Sequence, residues 1–340
     1  MKKTLTAIAL AAASLSAYAQ DPVILKVAHF WPPTALSQQK VLEPWCAKIA
    51  QESNNQMQCQ IYPAMQLGGT PPQLIQQAMD GVADIVWTLP GYTAGRFPAV
   101  EVLELPFLNT SSEAGSRAAW DIYQKYGQKD FPGIKALAFH VHDRGQIHNN
   151  KRPITQVADF KGLKMRAPTR LTNKLLAALG ATPVAMPMPQ TPDAVSKGVV
   201  DGYLLPWEVV PTMKLHEMTK YHSEISSPAP ALYTAVFTIA MNQAKYDSLP
   251  PNLKKVIDDN SGAEFSRSIG KVWDDSAAPS RQPAIDRGNQ FNTIDAANLA
   301  GFEKAGAKVT EGWIKEVTAK GYPGQAMVDD ARRLAKEYAQ

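Results

Sequence analysis

Arg166 is the residue with the plainest chemical use in this chain of 340 residues. It lies in the run Asp159-Phe160-Lys161-Gly162-Leu163-Lys164-Met165-Arg166-Ala167-Pro168. Gly162 makes a turn, alternation sends Leu163 and Met165 to one face and Lys164 and Arg166 to the other, and Pro168 ends the strand. A guanidinium at a strand end can grip a carboxylate through two parallel hydrogen bonds, a geometry lysine cannot reproduce; the same residue could also serve in a surface ion pair. Aromatic residues at other expected strand ends offer flat walls for a ring: Trp31 in His29-Phe30-Trp31-Pro32-Pro33, Trp87 and Tyr92 further on, and Trp207, with Tyr233 and Phe237 on a later strand. Each could instead belong to a core.

Other chemistry has little support. There is no G-x-S-x-G elbow, and neither cysteine stands beside a histidine with an orienting partner, so no catalysis is expected. Gly68-Gly69-Thr70-Pro71-Pro72 lacks the lysine and the glycine spacing of phosphate-cradling loops. His140-Val141-His142 puts two imidazoles on one strand face, but without a third ligand nearby the pair reads as structural, and no metal or other cofactor is expected. The 35 basic and 31 acidic residues are scattered, with no basic stripe to follow a phosphate backbone, so nucleic acid is not an expected partner.

The elements that position these residues read as α/β. Val23 to Phe30, Met57 to Tyr62 and Asp84 to Thr88 have strand patterns, and Leu36 to Gln51 and Pro71 to Met79 helical ones. An internal echo sharpens this. Thr70-Pro71-Pro72-Gln73 opens a helix that ends at Gly81-Val82-Ala83-Asp84 and leads to Leu89-Pro90; Thr191-Pro192-Asp193 opens one that ends at Gly198-Val199-Val200-Asp201 and leads to Leu205-Pro206-Trp207. Two such units predict two related lobes facing a ligand cleft at the carboxyl ends of their strands. Crossings are expected near His142 to Asn150, after the strand Ile134 to His142, and near Ser226 to Ala229, before the strand Tyr233 to Met241. The expected division is 20–143 with 230–262 as lobe I, 144–229 as lobe II, and 263–340 as long C-terminal helices bracing both, with breaks at Pro279, Pro283 and Gly301.

Residues 1–19 read as a signal peptide: Lys2 and Lys3, the apolar run Thr6 to Leu15, and the cleavage pattern Ala17-Tyr18-Ala19. The apolar run is shorter than the roughly 20 residues of a membrane-spanning helix, so a periplasmic protein without stable membrane insertion is expected, cleaved near Ala19. Export to an oxidising compartment makes a bridge between Cys46 and Cys59 the expected state of the two cysteines, with free thiols the alternative.

Taken in order, Gly68-Gly69, Gly81-Val82-Ala83-Asp84, Leu105-Pro106-Phe107, the Asp159 to Pro168 run, Gly198-Val199-Val200-Asp201-Gly202, Met241-Asn242 and Leu249-Pro250 resemble the extracytoplasmic solute-binding proteins of tripartite ATP-independent periplasmic (TRAP) transporters, the DctP type. The resemblance covers nearly the whole mature chain. It implies a two-lobed periplasmic binding protein of type II-like form that closes on a small organic acid, with Arg166 as carboxylate clamp and TRAP membrane permease subunits as partners. In sialate-binding relatives a second arginine aligns with Gln146, two residues from Arg144; its replacement argues against a sugar acid. Polar contacts from Gln146 and Arg144, and a wall of Trp31, Trp87, Tyr92, Trp207 and Phe237, make an aromatic or 2-oxo monocarboxylate the expected ligand. A C4-dicarboxylate or other aliphatic acid receptor, or a sensory binding protein for a histidine kinase, is the alternative.

Overall fold

The computed structural model describes residues 21–226 and 228–339, so the expected signal peptide lies outside the described residues. The chain opens as a parallel unit: β1 (Val23–His29), α1 (Glu43–Glu52), β2 (Met57–Tyr62), α2 (Leu74–Met79) and β3 (Ile85–Thr88). After α3 (Ser112–Ile122), β4 (Ile134–Val141) runs almost directly into β5 (Gln146–Asn149) of a second sheet. That sheet continues through β6 (Lys164–Ala167), α4 (Arg170–Ala178), β7 (Thr182–Ala185), α5 (Thr191–Ser196), β8 (Gly202–Leu205), α6 (Val209–Thr212) and β9 (Tyr221–Ile225). The chain then returns to the first sheet as β10 (Val236–Asn242) and ends in α7 (Gln243–Ser248), α8 (Pro251–Asp259), α9 (Ala263–Asp286), β11 (Gln290–Ile294), α10 (Ala296–Ala319) and α11 (Gly324–Tyr338).

The sheet orders are β2-β1-β3-β10-β4 and β11-β9-β5-β8-β6-β7. Each contains one strand antiparallel to both its neighbours, β10 in the first and β5 in the second. Those two strands follow the two crossings, so the protein is two-lobed with both connections at one junction.

The sequence echo has a structural cause. Asp84 accepts the backbone N–H of Lys26 at 2.8 Å, and Asp201 accepts that of Lys164 at 2.9 Å. Each carboxylate thus ties the start of its unit's strand to the neighbouring β1 or β6. The preceding Gly81 and Gly198 have φ of +73° and +66°, a left-handed turn that costs glycine little. The ligand edge is the opposite one.

Cys46 and Cys59 are bridged, with Cα atoms 5.7 Å apart, fastening α1 to β2. On the chain-entropy model a loop this short contributes about 3 kcal/mol.

The C-terminal region departs from the expected run of helices. Pro279 and Pro283 do not break α9 but lie within its C-terminal third. A proline inside a helix costs about 3 kcal/mol, and here tertiary contacts along the helix oppose it. Gly270 sits so close to the Ser112 carbonyl that a Cβ would stand 2.3 Å from it, Trp273 donates to Glu208 at 3.2 Å, and Arg281 makes two 2.9 Å bonds to Glu224. Gly301 likewise lies inside α10, where its missing side chain lets Val157 approach. The real interruption is β11, which pairs parallel with β9 at the edge of the second sheet. Helix α9 touches both lobes through Ser112 and Glu224. Trp313 and Glu316 of α10 do the same through Glu101 and Arg170.

Candidate functional site

Between the lobes, where β1, β3, β6 and β8 end, lies a narrow cavity of about 20 Å³, room for about one water molecule, so a larger ligand needs the lobes to part. Arg166 reaches it from β6. Its neighbour Lys164, on the same strand face, is exposed, whereas Arg166 is 1% exposed, with Tyr92 and Tyr233 of the first lobe facing its strand end. Nε donates to the Met186 carbonyl at 3.1 Å and Nη1 to that of Leu204 at 3.3 Å. These bonds fix the guanidinium plane and leave Nη2, buried, with no partner. A guanidinium carries five N–H donors, so the Nη1–Nη2 edge retains a fork for a carboxylate. Burial lowers its pKa, opposed by the nearby hydroxyls of Tyr92 and Tyr233.

Tyr92 accepts the Met188 N–H at 3.0 Å, which leaves its own hydroxyl proton free to donate. Burial raises its pKa, so it stays protonated. Tyr233 is also buried, with its hydroxyl unpaired. Its ring lies over Gly145, where a Cβ would stand 2.1 Å from a ring carbon. The first crossing therefore needs glycine there for Tyr233 to face the cavity.

Trp31 is held by a relay. Its backbone N–H donates to His29 Nδ1 at 3.1 Å, and His29 Nε2 donates in turn to Gln38 Oε1 at 3.0 Å. The indole Nε1 is buried and unpaired. Phe237 is held by stacking on both Trp87, at 4.5 Å, and His140, at 4.9 Å, two rings that also stack on each other. Leu89, Leu205 and Val209 complete an apolar lining in which Arg166 is the one cation among the described residues.

The structure therefore brings together Arg166, Trp31, Tyr92, Tyr233 and Phe237, and corrects four expectations. Trp87 is fully buried behind Phe237 and donates to His140 Nε2 at 2.9 Å; it supports the wall instead of forming it. Trp207 turns into the second lobe, donating to Glu224 at 2.7 Å and packing on His148, His222 and Phe291. Arg144 points to the carbonyls of Ile225 and Pro230 at the second crossing, and Gln146 is buried in β5; neither lines the cavity. His142 does line it, but its Nε2 accepts the Ala235 N–H at 2.9 Å and its Nδ1 donates to the Asp143 carbonyl. Sequence reasoning missed the signal in Gly145: a glycine at a crossing marks where the returning strand's ring must lie.

Buried titratable groups around the junction predict a pH optimum for folding. Burial pushes Glu104 and Glu208 up to about 8, and burial together with Glu208 raises Asp143. Burial also lowers His29, His142 and His222 to about 4, His140 to about 3, and His148 well below the ordinary imidazole range. Below about 6.5 the unfolded histidines take up protons that the folded ones refuse, so their contribution falls as pH drops toward 4. The acids hold protons in the folded state that the unfolded chain releases, so their contribution is full at low pH and is lost as pH rises through about 8. With five imidazoles set against three acids, the melting temperature should pass through a maximum between about pH 6 and 7. A melting temperature that climbs steadily to about pH 9 in a thermal series would contradict this assignment.

Three comparisons place the chain among known proteins. The model of the family described as bacterial extracellular solute-binding protein, family 7 (DctP) matches residues 27–316. A solved TRAP solute-binding protein from Rhodoferax ferrireducens, in complex with copurified benzoate, superposes with a TM-score of 0.92 at 46% identity, covering 93% of this chain and 98% of that one. A marine-metagenome TRAP solute-binding protein specific for aromatic acid ligands, with bound 3-hydroxybenzoate, gives 0.92 at 44% identity over 94% and 100% of the two chains. Among curated proteins, outer membrane transporter protein TsaT of Comamonas testosteroni is 25% identical over 338 residues, 98% of each chain.

Proposed function

The chain belongs to family 7 of the bacterial extracellular solute-binding proteins, and we propose that it is a TRAP receptor whose cleft closes on an aromatic or 2-oxo monocarboxylate and delivers it to the membrane permease. The family is extracellular, and no helix among the described residues is long and apolar enough to cross a membrane. Cleavage near Ala19 would release the mature receptor into the periplasm, with 20–143 and 230–262 as one lobe and 144–229 as the other.

One observation carries the ligand class: around an otherwise apolar cavity stand three buried donors without partners, Arg166 Nη2, Tyr233 Oη and Trp31 Nε1. Buried polar groups are normally hydrogen-bonded, and the Arg166 guanidinium with the Tyr233 hydroxyl near it is the complement of one carboxylate. Trp31 and Phe237 offer the ring its faces. The benzoate and 3-hydroxybenzoate held by the two similar structures support the same reading. A dicarboxylate fits less well, because its second charge would meet no cation in the lining. Mass spectrometry of small molecules released from the denatured, freshly purified protein tests the assignment: an aromatic or 2-oxo monocarboxylate supports it, and a C4-dicarboxylate or sugar acid sinks it.

Closure has its own test. Gly91, beside Tyr92, faces Thr169 of the opposite lobe so closely that a Cβ would stand 2.7 Å from Thr169 Cγ2 and 2.9 Å from Glu104 Oε1. Gly91→Ala should wedge the lobes apart and weaken binding about tenfold, the equivalent of one lost interaction of 1.4 kcal/mol. Small-angle scattering should show compaction on ligand addition in the parent protein and less in the variant. Equal compaction and equal affinity would show that the lobes do not close on this contact.

A further inference from the structure

The three unpaired donors do not form one group. Arg166 lies near enough to Tyr92, Tyr233 and His142 to influence the titration of all three. Trp31 belongs to a different wall, the turn after β1, with its ring 4.9 Å from Phe30 and 6.1 Å from Trp87 and its backbone fixed by His29. An indole N–H can donate but cannot accept. The remaining polar side chains of the lining are already engaged or sit at the carboxylate end: His142 is bonded through both nitrogens, Tyr92 is tied to Met188, and Tyr233 shares the surroundings of Arg166. When an aromatic acid fills the cavity, no polar side chain of the lining is free to accept from Trp31 Nε1, and the ligand is the partner it lacks.

We infer that Trp31 is a specificity-determining residue whose indole N–H reads an oxygen on the ligand's ring, away from the carboxylate, so that the preferred ligands are oxygenated aromatic monocarboxylates and not their unsubstituted parents. The inference rests on the reading of the cavity as an aromatic acid site and adds a second polar contact to it. A ligand without that oxygen still binds through Arg166 but leaves a buried donor unpaired.

Calorimetry with benzoate, 3- and 4-hydroxybenzoate, and 3- and 4-methylbenzoate tests this, because hydroxyl and methyl groups are close in size and differ in accepting a hydrogen bond. The better hydroxybenzoate should bind about tenfold more tightly than its methyl counterpart, and in Trp31→Phe, which keeps an aromatic face but has no N–H, that ratio should fall to within about twofold of one, whatever loss the smaller ring causes to all five acids alike. Equal binding of the hydroxyl and methyl isomers to the parent protein would overturn the inference. So would a hydroxyl preference that survives Trp31→Phe, with or without an equal loss for all five acids. Failure of all five acids to bind the parent protein would instead overturn the underlying ligand reading. If Trp31→Phe does not fold, a crystal structure of the parent protein with the tighter hydroxybenzoate decides: the ring oxygen within hydrogen-bond distance of Nε1 supports the inference, and an oxygen placed elsewhere removes it.

Discussion

Replacing Arg166 with alanine should abolish measurable ligand binding. The guanidinium is the only cation in the described lining, it is buried, and its plane is set by the Met186 and Leu204 carbonyls before any ligand arrives. Removing one partner of a buried charge pair costs about 3–5 kcal/mol, which is two to four powers of ten in Kd. Arg166→Lys should recover only part of this, since an ammonium carries the charge but cannot hold both carbonyls and present a fork. The ligand-free variant should still fold, because Arg166 without a ligand is an uncompensated buried charge whose removal offsets the two lost carbonyl bonds. Calorimetry on protein shown to be folded by circular dichroism checks this. Near-parental affinity in Arg166→Ala would take Arg166 out of the site.

The second large effect is discrimination between acid classes. A C4-dicarboxylate placed on Arg166 would bury its other carboxylate among Leu89, Leu205, Val209 and Phe237, where nothing neutralises it. An unpaired buried charge costs several kcal/mol, so aromatic monocarboxylates should outbind succinate or malate by at least about 100-fold. Aliphatic 2-oxo acids should fall between, keeping the carboxylate contact but losing the stacking on Trp31 and Phe237. In a thermal-shift panel, benzoate and phenylglyoxylate should raise the melting temperature, and C4-dicarboxylates and sialic acid should not. The reverse ranking would mean that a second cation reaches the cavity.

What could be read in the sequence followed how strongly local chemistry constrained each residue. Arg166 was legible because Gly162, the alternation through Met165, and Pro168 define its strand and strand end without reference to the rest of the fold. The two-lobed architecture was legible in the paired Gly-Val-x-Asp units, whose aspartates have the same backbone task in each lobe. Trp87 misled because β3 is buried on both faces, so alternation no longer distinguishes wall from core, and Trp207 misled because it lies two residues beyond the end of β8, where strand alternation no longer applies. Position at a strand end located both tryptophans but not the direction of their rings, which His140 and Glu224 decide. Arg144 was drawn toward the crossing by carbonyls about eighty residues away in sequence, a contact no local pattern records. The strand β11 escaped notice because Gln290–Ile294 is short, polar and partly exposed, and its partner is distant in the chain.

The most direct measurement is a crystal structure of the protein with benzoate. The carboxylate should lie on the Nη1–Nη2 edge of Arg166 within reach of Tyr233 Oη, with the ring between Trp31 and Phe237. A benzoate bound elsewhere, or with its carboxylate turned away from Arg166, would contradict the account.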